Sequence, residues 1–346
     1  MDTNYLIKED KTLLDALKVI NSIDDGPLVL FAVNDKNQMV GTLTDGDVRR
    51  ALIAGCSVDD KLSKACHRNF NFLRFGETDT VENLHKQKKM KMKLVPILDS
   101  NNHLIDVINL ERYYSRLPID AILMAGGKGL RLRPLTESIP KPLLKVGDKA
   151  IIDHNVDRLI DFGVKNISVT VNYLAEQLEE HYSILHNDIK VNCIREPKFL
   201  GTIGAVQFVP QIINDTVLVM NSDLFTNIDY EDFYLHFVDN KADMSVAAVP
   251  YSVSVPYGIF ELEGRNITGV KEKPLYNYFA NAGIYLFKKS VLEFIPQDEF
   301  FNATDLIEKL VSLNKIVIRY PITGFWLDIG NKEEYAKANE FVKHLN

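Results

Sequence analysis

The pattern of hydrophobic and polar residues predicts a helix, a hairpin and a second helix near the start of the chain. Apolar residues recur at helical spacing over Thr12–Ser22. Two strand-like runs, Pro27–Val33 and Val40–Leu43, flank the turn-forming residues Asn34–Gln38, so this stretch predicts a β-hairpin. A second helical pattern follows over Asp47–Ala54.

The same order of elements recurs about 65 residues later, which indicates an internal duplication. A helical pattern over Val81–Lys89 is followed by strand-like runs at Lys93–Leu98 and Leu104–Ile108 and by a helix from about Leu110. The predicted domain spans residues 1–118, with repeats at about residues 1–60 and 61–118.

The rest of the chain, residues 119–346, alternates strand and helix patterns and is predicted to be a second domain. Its candidate strands are Ala121–Ala125, Ile167–Val171, Val191–Arg195, Val217–Asn221, Met244–Pro250, Ile284–Phe287 and Ile316–Tyr320. A helix is predicted over Ile151–Phe162, because Gly163 is a typical C-terminal cap. Such alternation predicts an α/β fold with a parallel or mixed sheet covered on both faces. In that architecture, ligands bind at the carboxyl ends of the strands.

A glycine-rich loop with nearby cations follows the first strand of this second domain. The glycines are Gly126, Gly127 and Gly129, and the cations are Lys128, Arg131, Arg133 and Lys141. Glycine lets backbone N–H groups approach an anion, and clustered cations suit a polyphosphate. The spacing fits neither a Walker A loop nor the dinucleotide fingerprint, in which Leu132 would occupy the third glycine position. A surface turn with solvated charges would also produce this pattern.

Two aspartates are candidate metal ligands. Asp223 follows the apolar strand Val217–Asn221, and Asp328 lies beside Trp326 in an apolar stretch. An unpaired carboxylate is costly to bury, and Mg²⁺ prefers carboxylate oxygens together with substrate phosphates. The Asn-Ser-Asp sequence at 221–223 would also suit a turn or a helix cap.

These motifs together resemble the sugar-1-phosphate nucleotidylyltransferases. The resemblance begins with G-G-K-G-x-R-L-x-P-L-T and P-K-P-L-L in residues 126–144. It continues through L-G-T-I-G-A at 200–205, where a helix is expected to begin, E-K-P at 272–274 and N-A-G-I-Y at 281–285, and it ends with W-L-D-I-G at 326–330. The resemblance implies a Rossmann-like, GT-A-like domain with a mixed, mostly parallel sheet.

The resemblance also implies a reaction and a role for each matching residue. A nucleotidyl group passes from a nucleoside triphosphate to a sugar-1-phosphate, and pyrophosphate leaves. The implied nucleotide-binding residues are Leu123, Ala125, Gly126, Gly127, Lys128, Gly129, Glu196, Gly201 and Thr202. The implied sugar-phosphate residues are Gly258, Glu272, Lys273 and Asn281, and the implied catalytic residues are Arg131, Lys141, Asp223 and Asp328, of which the two aspartates hold Mg²⁺.

The first domain resembles a tandem cystathionine-β-synthase (CBS) pair. The sequence GTLTDGDVRRAL at 41–52 carries the resemblance, which implies that Thr44 and Asp47 bind the ribose of an adenine nucleotide. The second repeat offers no such residues at Ile108–Glu111. A purely structural or dimer-forming pair is the alternative. Since CBS pairs commonly associate face to face, a homo-oligomer is also expected.

Within the family, the L-G-T-x-G-A form and the CBS fusion are most similar to guanylyltransferases that use GTP and glucosamine-1-phosphate in legionaminic acid synthesis. Mannose-1-phosphate guanylyltransferases are the nearest alternative, and a uridylyl- or thymidylyltransferase stays open. A catalytically silent adenine-nucleotide sensor is a further alternative of a different class, but it predicts loss of the phosphate and metal residues.

Composition and charge narrow the class of protein. The chain is 46% hydrophobic and 25% charged, as in ordinary globular proteins, and its net charge of −7 argues against a nucleic-acid partner. The basic run Lys86–Lys93 fits a solvated helix face. Three cysteines form no metal spacing, and no apolar run reaches the length of a membrane span. We therefore expect a cytoplasmic enzyme with no membrane partner.

Overall fold

The computed structural model describes residues 5–24, 26–75, 80–111 and 114–343, and it divides the chain into two compact units, residues 1–116 and 117–346. The elements of the first unit, called unit 1, are β1 (Leu6–Lys8), α1 (Leu13–Asn21), β2 (Val29–Val33), β3 (Met39–Thr44), α2 (Asp45–Ile53), β4 (Leu73–Arg74), α3 (Thr80–Lys89), β5 (Leu94–Leu98) and β6 (Leu104–Asn109).

Unit 1 contains two three-stranded sheets with the same plan. In each sheet a short strand pairs in parallel with the first strand of an antiparallel hairpin: β1 with β2–β3, and β4 with β5–β6. The predicted order of helix and hairpin is therefore confirmed in both repeats. The short strands β1 and β4 were not predicted, because three or two residues leave no detectable period. The helix expected from Leu110 is wrong at its start, since Leu110 and Glu111 form a turn.

Hydrophobic packing holds each repeat together and joins the two. Leu13, Leu30 and Leu43 are fully buried in the first repeat. A further cluster contains Phe31 from β2 and Leu98 from β5, so residues of both repeats contribute to one core. Each repeat thus buries apolar surface that it could not bury alone.

The second unit, called unit 2, contains the other elements. They are β7 (Ile119–Met124), β8 (Lys145–Val146), β9 (Lys149–Ala150), α4 (Ile151–Asp161), β10 (Asn166–Val171), α5 (Ala175–His181), β11 (Val191–Arg195), β12 (Thr216–Asn221), β13 (Leu224–Thr226), α6 (Tyr230–Asp239), β14 (Met244–Ser254), β15 (Ile259–Glu263), β16 (Asn266–Lys271), β17 (Leu275–Lys288), α7 (Ala303–Ser312), β18 (Val317–Pro321), β19 (Trp326–Asp328) and α8 (Lys332–Lys343).

A seven-stranded sheet forms the centre of unit 2, with strand order β11-β10-β7-β12-β17-β14-β18. All neighbouring pairs are parallel except the two that involve β17, so the sheet is mixed and mostly parallel, as predicted. Helices cover both faces. Val219 of β12 packs in one cluster with Leu306 and Leu310 of α7, whereas the hydroxyl of Tyr230 in α6 contacts the sulfur of Met220.

The sheet carries an extension that the sequence pattern did not predict. The strand β14 continues past its expected end at Pro250, and β17 begins nine residues before its expected start at Ile284. The hairpin β15–β16 lies between them in the chain. Along β14, the pairing with β18 ends at Ala248. Along β17, the pairing with β12 begins only at Ile284. Residues 250–279 therefore form a ribbon with a hairpin at its end, which we call the arm.

No helix among the described residues combines the length and the apolar character that crossing a bilayer requires.

Candidate active site

Two neighbouring strands bring the glycine loop and Asp223 to the same edge of the sheet. β7 and β12 are parallel partners whose last residues, Met124 and Asn221, lie side by side. The backbone N–H and the hydroxyl of Ser222 both donate to the Met124 carbonyl, at 3.2 and 2.7 Å. The two chain segments that leave these strands are therefore fixed against each other.

The glycine loop has a conformation that depends on Gly129. Its φ is +59°, and an added Cβ would lie 3.0 Å from the side chain of Thr136 and 3.1 Å from Cβ of Lys141. The Thr136 hydroxyl donates to the Gly129 carbonyl at 2.8 Å. A short helical turn over Leu130–Leu132 follows, in which Leu132 is buried and Arg131 is exposed. Glycine is thus required here for backbone conformation and for close packing.

Lys141 lies between the two predicted metal ligands. β13 and β19 are antiparallel partners with Leu224 opposite Asp328, and the Ile329 N–H donates to the Asp223 carbonyl at 3.1 Å. The Lys141 ammonium pairs with Oδ2 of Asp223 and lies 4.0 Å from Oδ1 of Asp328. Lys141 is only 9% exposed, so its charge needs these partners. Burial, together with the charge of Asp223, raises the pKa of Asp328.

A cavity of about 390 Å³ opens at this point. Its lining residues are Met124, Ala125, Gly127, Gly129, Leu130, Arg131, Lys141, Pro142, Ser222, Asp223 and Gly330. Six of these residues were predicted to contact nucleotide, phosphate or metal. Asp328 is not a lining residue, but it lies 4.0 Å from the lining residue Lys141. The structure therefore brings part of the predicted phosphate loop together with Arg131, Lys141 and the two aspartates, whereas Lys128 and Arg133 are not among the lining residues.

Gly126 and Glu196 contact each other beside the cavity. An added Cβ on Gly126 would collide with the Glu196 carboxyl group. Glu196 is 6% exposed, its Oε2 atom has no hydrogen-bond partner, and burial raises its pKa. Of the other predicted nucleotide residues, Leu123 is fully buried within β7 and Lys128 is exposed.

The segment of Gly201 and Thr202 differs from the prediction. Instead of an α-helix, a short 3₁₀ turn forms at Gly204–Phe208. Gly201 has a φ of +82°, and its added Cβ would lie 2.6 Å from the Phe301 carbonyl. Glycine is needed at 201 because the chain's own backbone approaches it. The Thr202 hydroxyl accepts a hydrogen bond at 2.9 Å from the N–H of Ala303, the first residue of α7.

The four predicted sugar-phosphate residues lie outside the cavity lining. Gly258, Glu272 and Lys273 belong to the arm, where an added Cβ on Gly258 would lie 2.9 Å from Oε2 of Glu272. Asn281 lies at the base of the arm, and its side-chain oxygen accepts from the Gly283 N–H at 2.9 Å. The Trp326 indole donates to the Ala282 carbonyl at 2.9 Å, which ties this base to the strand that carries Asp328.

The sequence profile of the nucleotidyl transferase family matches residues 120–344. The chain belongs to this family. The matched stretch coincides with unit 2 and contains the whole cavity lining described above. The sugar-1-phosphate nucleotidylyltransferase resemblance is thus confirmed at the level of the family.

Individual relatives of this nucleotidyl transferase are 27–31% identical to it over the aligned residues. The bifunctional protein GlmU of Methanocaldococcus jannaschii is 30% identical over 65% of this chain and 54% of its own length. The mannose-1-phosphate guanylyltransferase catalytic subunit beta of Drosophila pseudoobscura pseudoobscura is 30% identical over 62% of this chain and 60% of its own length. This chain therefore matches less than two thirds of either relative.

A solved structure, HddC from Yersinia pseudotuberculosis, has the same fold. It aligns with a TM-score of 0.50 and 26% identity over 64% of this chain and 99% of its own length. The α/β fold with a mixed sheet is therefore shared by this nucleotidyl transferase and a solved member of similar architecture.

The predicted adenosyl residues lie in unit 1, away from this family match. The Asp47 carboxylate accepts hydrogen bonds from the Thr44 N–H, the Thr44 hydroxyl and Arg50, at 2.8, 2.6 and 2.5 Å, and lies 2.8 Å from His67 Nε2. Burial favours a higher pKa for Asp47, but these hydrogen bonds outweigh it and hold the pKa below its usual range. All the lone pairs that would suit a ribose already have partners.

Glu334 is a charged residue near the cavity that was not among the predicted site residues. The Glu334 carboxylate accepts from the Gly330 N–H at 3.2 Å, and an added Cβ on Gly330 would lie 3.1 Å from Nη2 of Arg131. Glu334 lies in the first turn of α8, where an acidic residue is expected for helix stability alone. The sequence therefore gave no sign that it lies near Arg131.

Proposed function

We propose that this nucleotidyl transferase moves a nucleotidyl group from a nucleoside triphosphate to a sugar-1-phosphate and releases pyrophosphate. The observation that carries the proposal is the meeting of the glycine loop, Arg131, Lys141 and Asp223 around one cavity, with Asp328 beside it. The activities for which relatives are named, among them that of a mannose-1-phosphate guanylyltransferase subunit, agree with it. No protein nucleophile is needed, because the attacking phosphate oxygen is already an anion.

The side chains would work by holding two polyanions together in line. The loop backbone at Gly127 and the Arg131 guanidinium would hold the β- and γ-phosphates and the leaving pyrophosphate. Lys141 would contact the α-phosphate, where negative charge develops during the attack. Its ion pair with Asp223 would then be exchanged for a contact with the nucleotide. Orientation and fixed charge supply the rate increase in this scheme.

Asp223 and Asp328 are suited to hold Mg²⁺. The described residues contain no cluster of three or more His, Cys, Asp or Glu side chains that could hold a metal without substrate. Two carboxylates that share one lysine match an ion that takes one or two carboxylates plus phosphate oxygens and water. When bound, Mg²⁺ would neutralise phosphate charge and polarise the reacting phosphorus centre.

Glu196 favours guanine as the base. The guanine edge presents two neighbouring donors, N1–H and N2–H, and a carboxylate with an unpartnered buried oxygen accepts from both. On the corresponding edges of uracil, cytosine and adenine every donor has an acceptor as its neighbour, and that acceptor would face the carboxylate. We therefore propose GTP as the nucleotide.

Glucosamine-1-phosphate is the proposed sugar substrate. Glu272 and Lys273 are adjacent and exposed on the arm, so a carboxylate and an ammonium are available side by side. The ammonium of glucosamine would pair with Glu272 and the phosphate with Lys273. Mannose-1-phosphate has a hydroxyl at the same carbon and would gain a hydrogen bond to the carboxylate but no ion pair. A role in legionaminic acid synthesis follows only if this sugar is confirmed.

Release of pyrophosphate in the presence of Mg²⁺ tests both the proposed nucleotide and the proposed sugar. GTP, UTP, dTTP, CTP and ATP are each combined with glucosamine-1-phosphate, mannose-1-phosphate and glucose-1-phosphate. Asp223→Ala should abolish the signal, whereas Asp148→Ala, at an exposed loop position of the same unit, should retain it. A GTP-dependent signal with one sugar supports the proposal. A signal that survives Asp223→Ala, or none in any combination, contradicts it.

Unit 1 is proposed to be a tandem CBS pair that senses an adenine nucleotide and associates with a second copy. Its two sheets of identical plan support the duplication. For a ribose to bind, Asp47 would have to exchange Arg50 or His67 for the ribose hydroxyls. ATP, AMP and S-adenosylmethionine are added in turn to the turnover assay. A change in rate that Asp47→Asn removes supports a sensor, and no change in rate or melting leaves a structural role.

A further inference from the structure

A polar side chain, that of Asn155, lies within an apolar stripe of helix α4. Ile151, Asn155 and Leu159 are spaced four residues apart, so they lie on the same side of the helix, and each is at most 1% exposed. An amide is costly to bury unless its polar atoms form hydrogen bonds. The bonds that Asn155 forms should therefore show why an amide lies between isoleucine and leucine at this position.

The Asn155 amide holds the backbone on both sides of Asp223. Its Nδ2 atom donates to the Leu224 carbonyl at 2.8 Å, and it lies 3.4 Å from the carbonyl of Ser222 and 3.4 Å from that of Ile151 in its own helix. A carbonyl accepts and never donates, so the side-chain atom that faces all three carbonyls must be the amide nitrogen. The bond to Leu224 has the length of a strong hydrogen bond, whereas the two longer contacts are weaker.

Two other elements fix the same segment of backbone. The N–H and the hydroxyl of Ser222 donate to the last residue of β7, and the Asp223 carbonyl accepts a hydrogen bond from the N–H of Ile329, directly after β19. Asn155 adds the contact from α4. The backbone of residues 222–224 is therefore held from three directions, and these contacts together determine where the Asp223 side chain begins.

The same helix supports the segment of Lys141, the ion-pair partner of Asp223. The N–H of Ile151, the first residue of α4, donates to the Leu144 carbonyl at 2.9 Å, and the Leu144 N–H donates to the Lys141 carbonyl at 3.1 Å. Within about one helical turn, at Ile151 and Asn155, α4 thus supports the backbone near both members of the ion pair. A change at this turn would alter how the two charged groups meet.

We propose that Asn155 is a positioning residue for the proposed metal ligand Asp223. Asn155 is not among the lining residues of the cavity, so its effect passes through the backbone of residues 222–224. By fixing that backbone, it sets where the Asp223 carboxylate lies relative to Lys141 and Asp328. The consequence for catalysis rests on the proposed function, whereas the support of Asp223 rests on the hydrogen bonds alone.

Two substitutions on α4 separate this support from a general loss of stability. Asn155→Leu removes the donor but keeps a branched side chain with the same number of heavy atoms. The matched control is Asp153→Asn, two residues away and therefore on the opposite side of the helix. Asp153 is 8% exposed, and its carboxylate accepts from the Tyr182 hydroxyl at 2.9 Å and pairs with His181. Both variants should melt below the wild type, so melting temperature alone does not decide.

Hydrogen–deuterium exchange of the full chain gives a readout that needs no activity. In Asn155→Leu, peptides that contain residues 222–224 or the N–H of Ile329 should exchange several-fold faster than in the wild type, beyond any change in the other strands of unit 2. In Asp153→Asn, the faster exchange should instead lie around Tyr182. If residues 222–224 are protected equally in Asn155→Leu and the wild type, the inference is wrong, whether or not the chain is active.

Pyrophosphate release at varied Mg²⁺ tests the consequence for catalysis. Residues that hold metal ligands in place typically contribute about 10–100-fold to metal affinity or activity, so Asn155→Leu should raise the half-maximal Mg²⁺ concentration by a factor of this order. KM for GTP should change little, because Gly127 and Arg131 are proposed to hold the triphosphate. Asp153→Asn, assayed equally far below its melting temperature, should keep the wild-type Mg²⁺ dependence. If the two variants behave alike, Asn155 acts only as a core residue and the inference fails.

A second substitution covers the case in which leucine prevents folding. Asn155→Ala removes the donor and adds no volume, so it should show the same local exchange and the same dependence on Mg²⁺. A wild-type chain that releases no pyrophosphate contradicts the proposed function, and hydrogen exchange then still decides whether Asn155 supports Asp223. An active wild-type chain in which neither Asn155 variant changes the exchange of residues 222–224 contradicts the inference alone.

Discussion

Lys141 forms an ion pair with Asp223 and lies 4.0 Å from Oδ1 of Asp328, so a single buried ammonium balances both proposed metal ligands. The lysine comes from the segment after the glycine loop. Asp223 lies between β12 and β13, and Asp328 is the last residue of β19, which pairs with β13. This arrangement keeps the two carboxylates compensated without a cation. It also means that a cation and Lys141 compete for the same oxygens.

Removal of the Lys141 charge should therefore separate metal binding from catalysis. We expect Lys141→Met to lower turnover on the order of 10²–10³-fold, as for loss of one transition-state donor. The same variant should bind Mn²⁺ more tightly than the wild type in the absence of nucleotide, because two uncompensated carboxylates attract the ion. Electron paramagnetic resonance of free Mn²⁺ measures this affinity. Lys145→Met, at an exposed site nearby, is the matched control, and unchanged Mn²⁺ affinity in Lys141→Met would contradict the competition.

Glu196 should make GTP binding depend on pH. Burial raises the pKa of this carboxyl group, and only the ionised form accepts from both guanine donors. As the pH falls through the raised pKa, KM for GTP should increase, whereas Glu196→Gln should show a high KM with little pH dependence. The measurement is KM for GTP across the acidic range, with Glu179→Gln, at an exposed carboxylate of α5, as control. A wild-type KM that is constant across this range would remove Glu196 from base recognition.

Glu196 should also make the stability of the folded protein depend on pH. Ionisation of its carboxyl group favours GTP binding but disfavours the folded state. With its pKa raised above the unfolded value, the folded protein binds more protons than the unfolded chain between the two pKa values, so stability falls as pH rises through that window. Glu196→Gln should therefore melt at a higher temperature than the wild type at neutral pH, and the difference should shrink below the unfolded pKa. Differential scanning calorimetry at several pH values measures this. A variant that melts lower than the wild type at neutral pH would mean that hydrogen bonds to the carboxylate, from the Leu200 backbone and the Thr170 side chain, outweigh the cost of its burial.

The sequence predicted where β7 and β12 end, because an apolar run that stops is a local pattern. The apolar runs that became β7 and β12 end at Gly126 and Asp223 respectively, and parallel neighbours bring such ends together. The approach of Asp328 could not be derived in this way, since it depends on the two-stranded pairing of β13 with β19, over a hundred residues apart in the chain. The apolar stretch around Asp328 and the family resemblance indicated this aspartate, whereas periodicity did not.

The arm and the Gly201 segment show where the sequence pattern is insufficient. Along β14, the apolar residues of the buried part continue without a break into the exposed alternation of Tyr251 and Val253, so the pattern alone does not show where burial ends. At Gly201 the pattern suggested a backbone that approaches a ligand. The group that approaches is the Phe301 carbonyl, a hundred residues away, and such a long-range contact leaves no local signal.

Asp47 should contribute to the stability of unit 1 whether or not a nucleotide binds there. It closes the capping box of α2 with Thr44 and pairs with Arg50 and His67. Asp47→Ala should destabilise unit 1 by about 1–2 kcal/mol through loss of the cap. Because the pKa of Asp47 is lowered on folding, the wild-type contribution is present above the unfolded pKa and disappears as pH falls through the folded one.

Urea unfolding followed by circular dichroism measures the Asp47 effect, and Asp59→Ala, at an exposed loop position of the same repeat, provides the control. The difference between wild type and Asp47→Ala should narrow in acid. If Asp47→Ala unfolds at the same urea concentration as the wild type at neutral pH, the hydrogen bonds to Thr44, Arg50 and His67 do not stabilise the folded state.

The contact between Gly126 and Glu196 predicts a pair of substitutions whose effects do not add. Gly126→Ala places a methyl group against the buried carboxyl group and should cost about 1–3 kcal/mol, as for other overpacked positions. In the background of Glu196→Ala the space is free, so the same alanine should cost little, and the coupling between the two sites should be of the order of 1 kcal/mol or more. Urea unfolding of the wild type, both single variants and the double variant gives this coupling.

Gly127→Ala, whose added Cβ meets nothing within 4 Å, is the control for the loss of glycine flexibility. Additive effects of Gly126→Ala and Glu196→Ala would show that the loop does not hold the carboxylate in the position from which it is proposed to recognise guanine.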